Sequence, residues 1–406
     1  MPFFPQGVLS FSHRIFFAIG LIMFMFHHTL RARQHLQRNI SQAWVIIFLC
    51  LAAHDASAEQ QLRIAVGRYN AKMSVSGPNI QVVGNDGTLL KAKGPVVLAP
   101  GEKGIVLDGK ALSQSLLRIK STGLLNIRGH HYRRHLEVSW RSYRGRPELL
   151  VVHPIALEVY VVGIVSSELP HRWPYEALKA QAIAARTYAI WQKYRRLDLP
   201  YHMESTVLDQ VYQGVEREHP EAVRAVQETH GQVMTYGRRP VQAYFHSACG
   251  GHTESAREGW GNHLPYLPGS PCGFCEAATH YHWNASLSRS HVDRSFKRLL
   301  GEPVKGLRVI EKTRTGRIKT VEIQGSKKKR QIRGSDMRRL LGYSKVWSTK
   351  MTKIHFDERK VTFSGYGAGH GIGMCQWGAR GMAKASHSAE DILARYYPGS
   401  RIDRLY

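Results

Sequence analysis

Between residues 59 and 160 the chain is a succession of short apolar segments broken by glycine, asparagine and proline. Typical segments are "LRIAVGRY", "IQVVG", "IVLDG" and "HLEVSW". Strands of this length, separated by turn residues at roughly every eight to twelve positions, are typical of a β-rich region. The most apolar segment, "ALEVYVVGIV" at 156–165, predicts a central strand. The first part of the chain is therefore expected to be mostly sheet.

The stretch that follows predicts a long helix rich in alanine. Pro174 suits the first helical turn, where its missing N–H costs nothing. Lys179 and Arg186 lie two turns apart, so they are expected to share a face of this helix. Beside them runs an apolar stripe at helical spacing, formed by Leu178, Ala182, Ala185 and Ala189.

Later segments add further helices and strands. "HPEAVRAVQETHG", from residue 219, predicts a helix that ends at Gly231. Residues 288–363 alternate a helical segment, "VDRSFKRLL", with strand-like segments, and "SAEDILARYY" predicts a last helix. We therefore predict an α+β fold in which the alanine-rich helix lies beside a glycine-rich loop. The expected divisions are a leader at 1–58, a β-rich part at 59–153, and a domain carrying the chemistry at 154–406, with a Cys/His-rich insertion at 246–282.

The chain is strongly basic. It has 57 Lys and Arg against 30 Asp and Glu, a formal net charge of +27. Such an excess favours a polyanionic partner, which can be nucleic acid or an acidic polymer or membrane surface of the cell envelope.

The N-terminus discriminates between these partners. The apolar stretches Ile15–Phe26 and Ala43–Ala53 are each too short to cross a bilayer, which takes roughly 20 residues. The basic segment "RARQHLQR" lies between them, and Ala56-Ser57-Ala58 follows, as in a secretory signal peptide. We expect cleavage after Ala58 and export to the periplasm or cell envelope, which argues against nucleic acid. The alternative is an uncleaved segment that attaches the chain to the membrane.

A lone glutamate follows the most apolar segment. Glu168 has Leu169, Pro170 and Trp173 as neighbours. Apolar surroundings favour the protonated carboxyl, which can act as a general acid in the cleavage of a glycosidic bond. The second carboxylate of hydrolases is dispensable when a hydroxyl of the sugar itself attacks. The alternative is a turn residue that caps the next helix or pairs with Arg172.

Four cysteines remain after the expected leader: Cys249, Cys272, Cys275 and Cys375. Cys272 and Cys275 form a C-x-x-C pair, and histidines are dense around them. Three thiolates and one imidazole would bind zinc tetrahedrally, and so many thiolates indicate a structural ion. The alternative, in an oxidising compartment, is a disulfide between Cys272 and Cys275 or between Cys249 and one of them. Cys375 has no evident chemical role.

The segment "GYGAGHGIGMCQWGA" at 365–379 has glycines in alternation. It lacks the Gly-Lys-Ser/Thr ending of a phosphate-binding loop. Alternating glycines let the backbone come close to a ligand or to another strand. His370 and Gln376 would then hydrogen-bond sugar hydroxyls, and Trp377 would offer a stacking face. A buried structural loop is the alternative.

Three motifs, in this order, resemble the stage II sporulation protein D / amidase enhancer LytB family. They are "YVVGIVSSELPHRWPYEALKAQAIAARTYAI" from residue 160, "AYFHSACGGHTES" at 243–255 and "GYGAGHGIGMCQWGARGMA" at 365–383. The likeness spans roughly residues 60–406. Cys375 stands where the family usually has serine.

The resemblance implies a peptidoglycan lytic transglycosylase, which cuts MurNAc–GlcNAc bonds in denuded glycan strands and leaves 1,6-anhydro-MurNAc ends. Glu168 matches the catalytic glutamate of the family, and Lys179 and Arg186 match two basic helix positions needed for activity. Denuded glycan carries a lactyl carboxylate on every MurNAc, so two cations on one face would hold successive carboxylates. Unpartnered surface cations are the alternative. His246 matches a histidine that binds zinc together with cysteines in some members, so it is the expected fourth ligand.

The amidase enhancer branch implies a different function. The protein would then bind the wall without cleaving it and stimulate an N-acetylmuramoyl-L-alanine amidase, its partner. The presence of Glu168 together with both helix cations favours catalysis, because a pure binder needs no such set. An exported nucleic-acid binder is supported by charge alone.

Overall fold

The computed structural model describes residues 60–91, 94–206 and 209–406. The expected signal peptide, its cleavage site and both early apolar stretches lie outside these residues. Residues 60–406 form one compact unit. Within the described ranges, no helix has the length and apolar character needed to span a bilayer.

The first part of the described chain consists of strands, as its short apolar segments predict. Up to residue 156 they are β1 (Gln61–Tyr69), β2 (Met73–Val75), β3 (Gln81–Gly84), β4 (Leu89–Lys91), β5 (Val96–Pro100), β6 (Ile105–Leu107), β7 (Lys110–Ala111), β8 (Leu116–Lys120), β9 (Leu125–Ile127), β10 (His130–Tyr132), β11 (His135–Tyr143) and β12 (Arg146–Ala156). Six of these strands and β13 (Met203–Glu204) form a seven-stranded sheet in the order β13–β1–β12–β11–β8–β3–β4. A four-stranded sheet contains β2, β5, β6 and β7, and β9 pairs with β10.

Side-chain alternation decides which faces of these strands are buried. In β8, buried Leu117 and Ile119 alternate with exposed Arg118 and Lys120, as expected for a sheet with one covered face. The middle of β12 is buried at consecutive positions, 149–153, because both of its faces are covered. β12 therefore lies at the centre of the core and leads directly into the elements that carry Glu168.

Directly after β12 the chain forms a helix, α1 (Leu157–Glu168), so the prediction of a strand at 156–165 is wrong. The segment is apolar on all sides, and every residue from Tyr160 to Val165 is buried. A continuous apolar run fits a buried helix as well as a buried strand, because periodicity alone cannot separate them. Here α1 packs against two further helices, α2 (Tyr175–Arg195) and α3 (Pro220–Glu228).

Helix α2 is the long alanine-rich helix, and Pro174 is its N-cap residue. The predicted apolar stripe is buried, but so are nearly all other residues between Ala177 and Ile190. A helix with polar residues such as Gln181 and Thr187 inside the core needs specific partners for them. Thr187 has two, since its hydroxyl donates to Ile183 O and accepts from Met234 N.

The remaining elements alternate short strands and helices. In chain order after α3 they are β14 (Gln232–Tyr236), β15 (Arg239–Pro240), β16 (Phe245–His246), α4 (Ala256–Trp260), β17 (His282–Ser288), α5 (Arg289–Leu300), β18 (Gly306–Lys312), β19 (Ile318–Gln324), β20 (Lys329–Arg333), α6 (Gly334–Leu341), β21 (Met351–Phe356), β22 (Lys360–Tyr366), β23 (Met374–Cys375), α7 (Gln376–Lys384), α8 (Ala389–Tyr396) and β24 (Arg401–Arg404).

Residues 283–363 build a second hydrophobic core. It is formed by α5, α6 and two three-stranded sheets, β17–β22–β21 and β18–β19–β20. The segments predicted as helix and strands within 288–363 are present. The main core, in contrast, is shared between the strands of 59–153 and the helices that follow. We refer to residues 283–363 as the second lobe.

Candidate active site

Glu168 is the last residue of α1. The chain becomes extended at Leu169, because Pro170 disfavours helical geometry in the residue before it. The carboxyl therefore lies at the end of a helix rather than of a strand. The residue is half-buried.

Two donors hold the Glu168 carboxyl. Gln376 Nε2 donates to Oε2 over 3.2 Å, and the backbone N–H of Val211 donates to Oε1 over 3.4 Å. Gln376 Nε2 also lies 3.4 Å from Gln181 Oε1 in the middle of α2. The end of α1, the core of α2 and the first residue of α7 thus meet at this carboxyl. The predicted approach of the glycine-rich segment to the alanine-rich helix is present in the structure.

Burial raises the pKa of Glu168, and the hydrogen bonds from Gln376 and Val211 offset part of the rise. A raised pKa keeps more of the carboxyl protonated near neutral pH. Glu168 therefore has the property that a general acid needs.

Lys179 lies in the second turn of α2 and remains partly accessible, with 23% of its side chain exposed. Its Nζ is 2.7 Å from Glu176 Oε1 and 5.6 Å from the centre of the Tyr175 ring. Ion pairs at the surface contribute little free energy. A substrate carboxylate can therefore exchange with Glu176 at small cost.

Arg186 does not share this accessible face, and its predicted contact with substrate is wrong for this structure. Its side chain is 0% exposed and forms two hydrogen bonds of 2.7 Å to the Glu158 carboxylate of α1. It also donates to the carbonyl oxygens of Gln232 and Val226, over 3.1 and 3.3 Å. Two turns further along α2, the helix face that carries Lys179 is buried in the core. Arg186 therefore links α2 to α1 instead of facing solvent.

His370 does not offer a nitrogen to a sugar, contrary to the prediction. Nε2 donates to Phe245 O over 2.9 Å, and Nδ1 accepts from the Ile372 N–H over 3.1 Å. Burial lowers its pKa to about 3, so the ring is neutral. Both nitrogens hold the glycine-rich segment in place, which corresponds to the structural alternative. Gln376 is likewise buried and contacts Glu168.

Trp377 belongs to a partly exposed aromatic cluster. Its ring meets that of Trp173 edge-on, with centroids 5.2 Å apart. The Arg380 guanidinium lies 4.8 Å from the Trp377 ring centre and 5.7 Å from that of Trp173. Trp377 follows directly after Gln376, the residue that contacts Glu168. A stacking role for Trp377 stays a prediction.

The four cysteines of the described residues form one buried cluster without a disulfide, and their sulfurs lie within 4.8 Å of one another. Cys375 is the fourth member, so the prediction of His246 in this place is wrong. His246 is not part of this cluster: its Nδ1 lies 3.2 Å from Ile372 O, and its buried Nε2 has no hydrogen-bond partner among the described residues. The Cys375 sulfur accepts from the N–H of Gly378 and so caps α7. Serine would also cap this helix, but cysteine adds a thiol.

Two family profiles match the chain. That of the stage II sporulation protein matches residues 146–236, and that of a domain of unknown function (DUF8618) matches residues 272–373. The stage II sporulation protein D of Bacillus subtilis is 31% identical over 273 residues, which cover 62% of this chain and 75% of that protein. The chain belongs to the stage II sporulation protein D family.

Two further relatives are similar to this chain. An uncharacterized protein of Brachyspira hyodysenteriae is 33% identical over 254 residues, covering 62% of this chain and 67% of its own. The amidase enhancer of Bacillus subtilis is 28% identical over 290 residues, covering 59% of this chain and 40% of its own. The first profile spans α1 and α2 with Glu168 and Lys179, whereas the second spans the second lobe.

The sequence does not predict several residues of this site. Val211 and Gln181 are ordinary residues whose contact with the site depends on tertiary structure. Glu158 had a usable signal, because a carboxylate inside an apolar run needs a buried cation, and Arg186 is that cation. Cys375 had another signal, since it replaces the serine usual in the family.

Proposed function

We propose that this protein is an exported peptidoglycan lytic transglycosylase that acts on denuded glycan strands in the periplasm or cell envelope. The observation that carries the proposal is the Glu168 carboxyl, which is half-buried, has a raised pKa and, among the described residues, is held by an amide and a backbone N–H and by no charged side chain. Glycosidases that use water need a second acid beside the first. A reaction in which the substrate supplies the nucleophile needs only one.

In the proposed reaction, protonated Glu168 gives its proton to the oxygen that links MurNAc C1 to GlcNAc. The C1–O bond breaks and the GlcNAc hydroxyl leaves. The Glu168 carboxylate then accepts the proton of the MurNAc 6-hydroxyl while O6 bonds to C1. The product is a 1,6-anhydro-MurNAc end, and Glu168 regains the proton with which it began.

Groups beside Glu168 supply contacts for an acidic sugar chain. Lys179 is a partly accessible cation near the start of α2, and Trp173 and Trp377 offer apolar ring faces. A cavity of about 170 Å³ opens beside the end of α1, and Arg217 is part of its lining. Its wall also contains His171 and His219, whose rings stack with centroids 4.3 Å apart. These groups fit lactyl carboxylates better than buried Arg186 does.

The test is Glu168→Gln, which keeps the size of the side chain and one acceptor oxygen but removes its titratable proton. We expect this variant to fold and to bind denuded glycan, and to lose at least about a thousandfold in the rate of anhydro-end formation, measured by mass spectrometry. Glu358→Gln, at an exposed position in the second lobe, is the matched control and should retain activity. An active Glu168→Gln variant would refute the mechanism.

The similarity to the amidase enhancer favours a second candidate, a wall-binding protein that stimulates a cell-wall amidase. Denuded sacculi separate the two functions because they contain no stem peptides for an amidase to remove. Clearing of their turbidity by the protein alone supports the transglycosylase. Stable turbidity, combined with faster cleavage of intact sacculi by an added amidase, supports the enhancer.

A further inference from the structure

The cluster of four thiols brings together distant parts of the chain. Cys249 follows β16, Cys272 and Cys275 lie in the loop before β17, and Cys375 ends β23. All four are buried and unbridged, and Cys249 Sγ is 3.5 Å from Cys275 Sγ. Four sulfurs at about 2.3 Å from a tetrahedral zinc would lie about 3.8 Å apart. The observed separations fit an ion at the centre of the cluster.

Two cations of the second lobe, buried Arg317 and half-buried Lys350, approach this cluster. Arg317 precedes β19 and donates from Nη2 to Cys249 O over 2.8 Å. Among the described residues, its Nε and Nη1 have no hydrogen-bond partner although both are buried. Lys350 donates to Gly250 O over 2.7 Å. The Arg317 guanidinium packs so closely on Gly371 that a Cβ there would lie 2.4 Å from it, which explains the glycine.

The charges of these groups are complementary. Unpaired N–H groups on a buried guanidinium are costly unless an anion lies near. Neutral thiols supply none, and Glu254, the nearby carboxylate, supplies one negative charge and is bonded to the hydroxyls of Thr313 and Thr315 rather than to Arg317. Four thiolates around a divalent cation leave two negative charges in excess. Arg317 and Lys350 would balance them.

We propose that Cys249, Cys272, Cys275 and Cys375 bind one structural zinc ion, and that Arg317 and Lys350 stabilise the thiolates from the second lobe. Binding releases the thiol protons, so the affinity for zinc rises with pH. The ion would join the main core to the second lobe through its charge partners. Because Cys375 precedes Gln376, it would also fix the backbone that presents Gln376 to Glu168; this last consequence alone rests on the proposed function.

Metal analysis of the full chain, purified with zinc and without chelator, tests the ligand set. We expect one zinc per chain in the wild type and in His246→Gln, and a clear loss of zinc in Cys272→Ser. Cobalt exchanged for zinc should give intense thiolate-to-metal absorption, reduced by about a quarter in Cys375→Ser if all four sulfurs coordinate. Serine has a similar size and can also cap α7, so this variant should fold.

Competition with a chromogenic chelator tests the charge partners. Arg317→Met and Lys350→Met should each weaken zinc binding by about tenfold or more, as loss of a partner to metal ligands commonly does. Arg308→Met, an exposed arginine of the same lobe, is the matched control. Equal affinity in all three variants would overturn the role of the cations.

Other results would overturn the site itself. They are a metal-free wild type whose intact mass shows a disulfide, or zinc that is lost in His246→Gln but kept in Cys375→Ser. Glu168→Gln should bind zinc like the wild type. Failure of the metal site is therefore distinguishable from failure of the transglycosylase, because zinc content and cobalt absorption do not depend on glycan cleavage.

Discussion

At the Glu168 carboxyl, two opposing influences set the protonation state. Burial favours the neutral acid, while the N–H groups of Gln376 and Val211 favour the carboxylate. The proposed reaction needs both forms in turn, first to give a proton and then to accept one. Donors that stabilise the carboxylate without excluding the acid suit that alternation.

Removal of the Gln376 amide tests this balance. In Gln376→Leu the carboxylate loses a donor, so the pKa of Glu168 should rise further. Since the first step needs the protonated acid, the decline in cleavage rate with increasing pH should move to higher pH. Rates of anhydro-end formation across pH measure the shift. Gln331→Leu, an exposed glutamine of β20, should leave the profile unchanged, and an unmoved profile in Gln376→Leu would contradict the assigned contact.

The helices that carry the site are joined by the Arg186–Glu158 pair. It links α2 to α1, and Tyr406 near the C-terminus also donates to Glu158. Although burial acts to raise the pKa of Glu158, its bonds to Arg186 lower it overall. The stabilisation by the ionised pair is thus present above the ordinary carboxyl pKa and is lost as pH falls through the depressed value. In this chain the basic position of α2 supports the fold of the site.

Arg186→Met should lower the free energy of unfolding by about 3–5 kcal/mol, because it leaves Glu158 partly buried without its partner. Arg186→Met combined with Glu158→Leu should recover much of that loss, since an apolar pair leaves no charge behind. Denaturant titration at neutral pH measures both. The exposed pair of Arg224 and Glu228 supplies the control, and Arg224→Met should cost under about 1 kcal/mol. Equal losses of unfolding free energy in Arg186→Met and Arg224→Met would show that burial does not increase the contribution of the Arg186–Glu158 pair to stability.

Whether the sequence predicts a helix or a strand correctly depends on how distinctive the pattern of apolar and turn residues is within that segment. Helix α5 has an amphipathic pattern and a final glycine at 301, and the sequence predicts it well. Helix α1 is apolar on every side, so only its packing against α2 and α3 distinguishes it from a strand. Glu168 was found because its motif is local. The burial and the contacts of Arg186 and Cys375 depend on segments distant in the sequence, so local patterns could not predict them.

Across the whole molecule, the positive charge is unevenly distributed. The outer face of α5 carries three exposed cations, Arg294, Lys297 and Arg298, none with an ion pair to any residue that the structure describes. The adjacent strand β20 adds Lys329 and Arg333, also exposed. Cations clustered on neighbouring elements attract a polyanion more strongly than the same charges dispersed over a surface. The second lobe therefore offers a broad electrostatic contact for a polyanion, which in the proposed function is the acidic glycan.

Replacing Arg294, Lys297 and Arg298 with glutamine should weaken binding to denuded sacculi. At roughly 0.5 kcal/mol for each exposed charge, the three together correspond to about a tenfold increase in the dissociation constant at low salt. Screening should abolish the difference at high salt. A control with the same loss of charge replaces Lys103, Lys110 and Arg146, exposed residues of the β-rich part. If both triple variants lose affinity equally, net charge alone governs attachment. A loss confined to the α5 variant, with cleavage of short glycan fragments unchanged, would place wall attachment on the second lobe and catalysis on the main core.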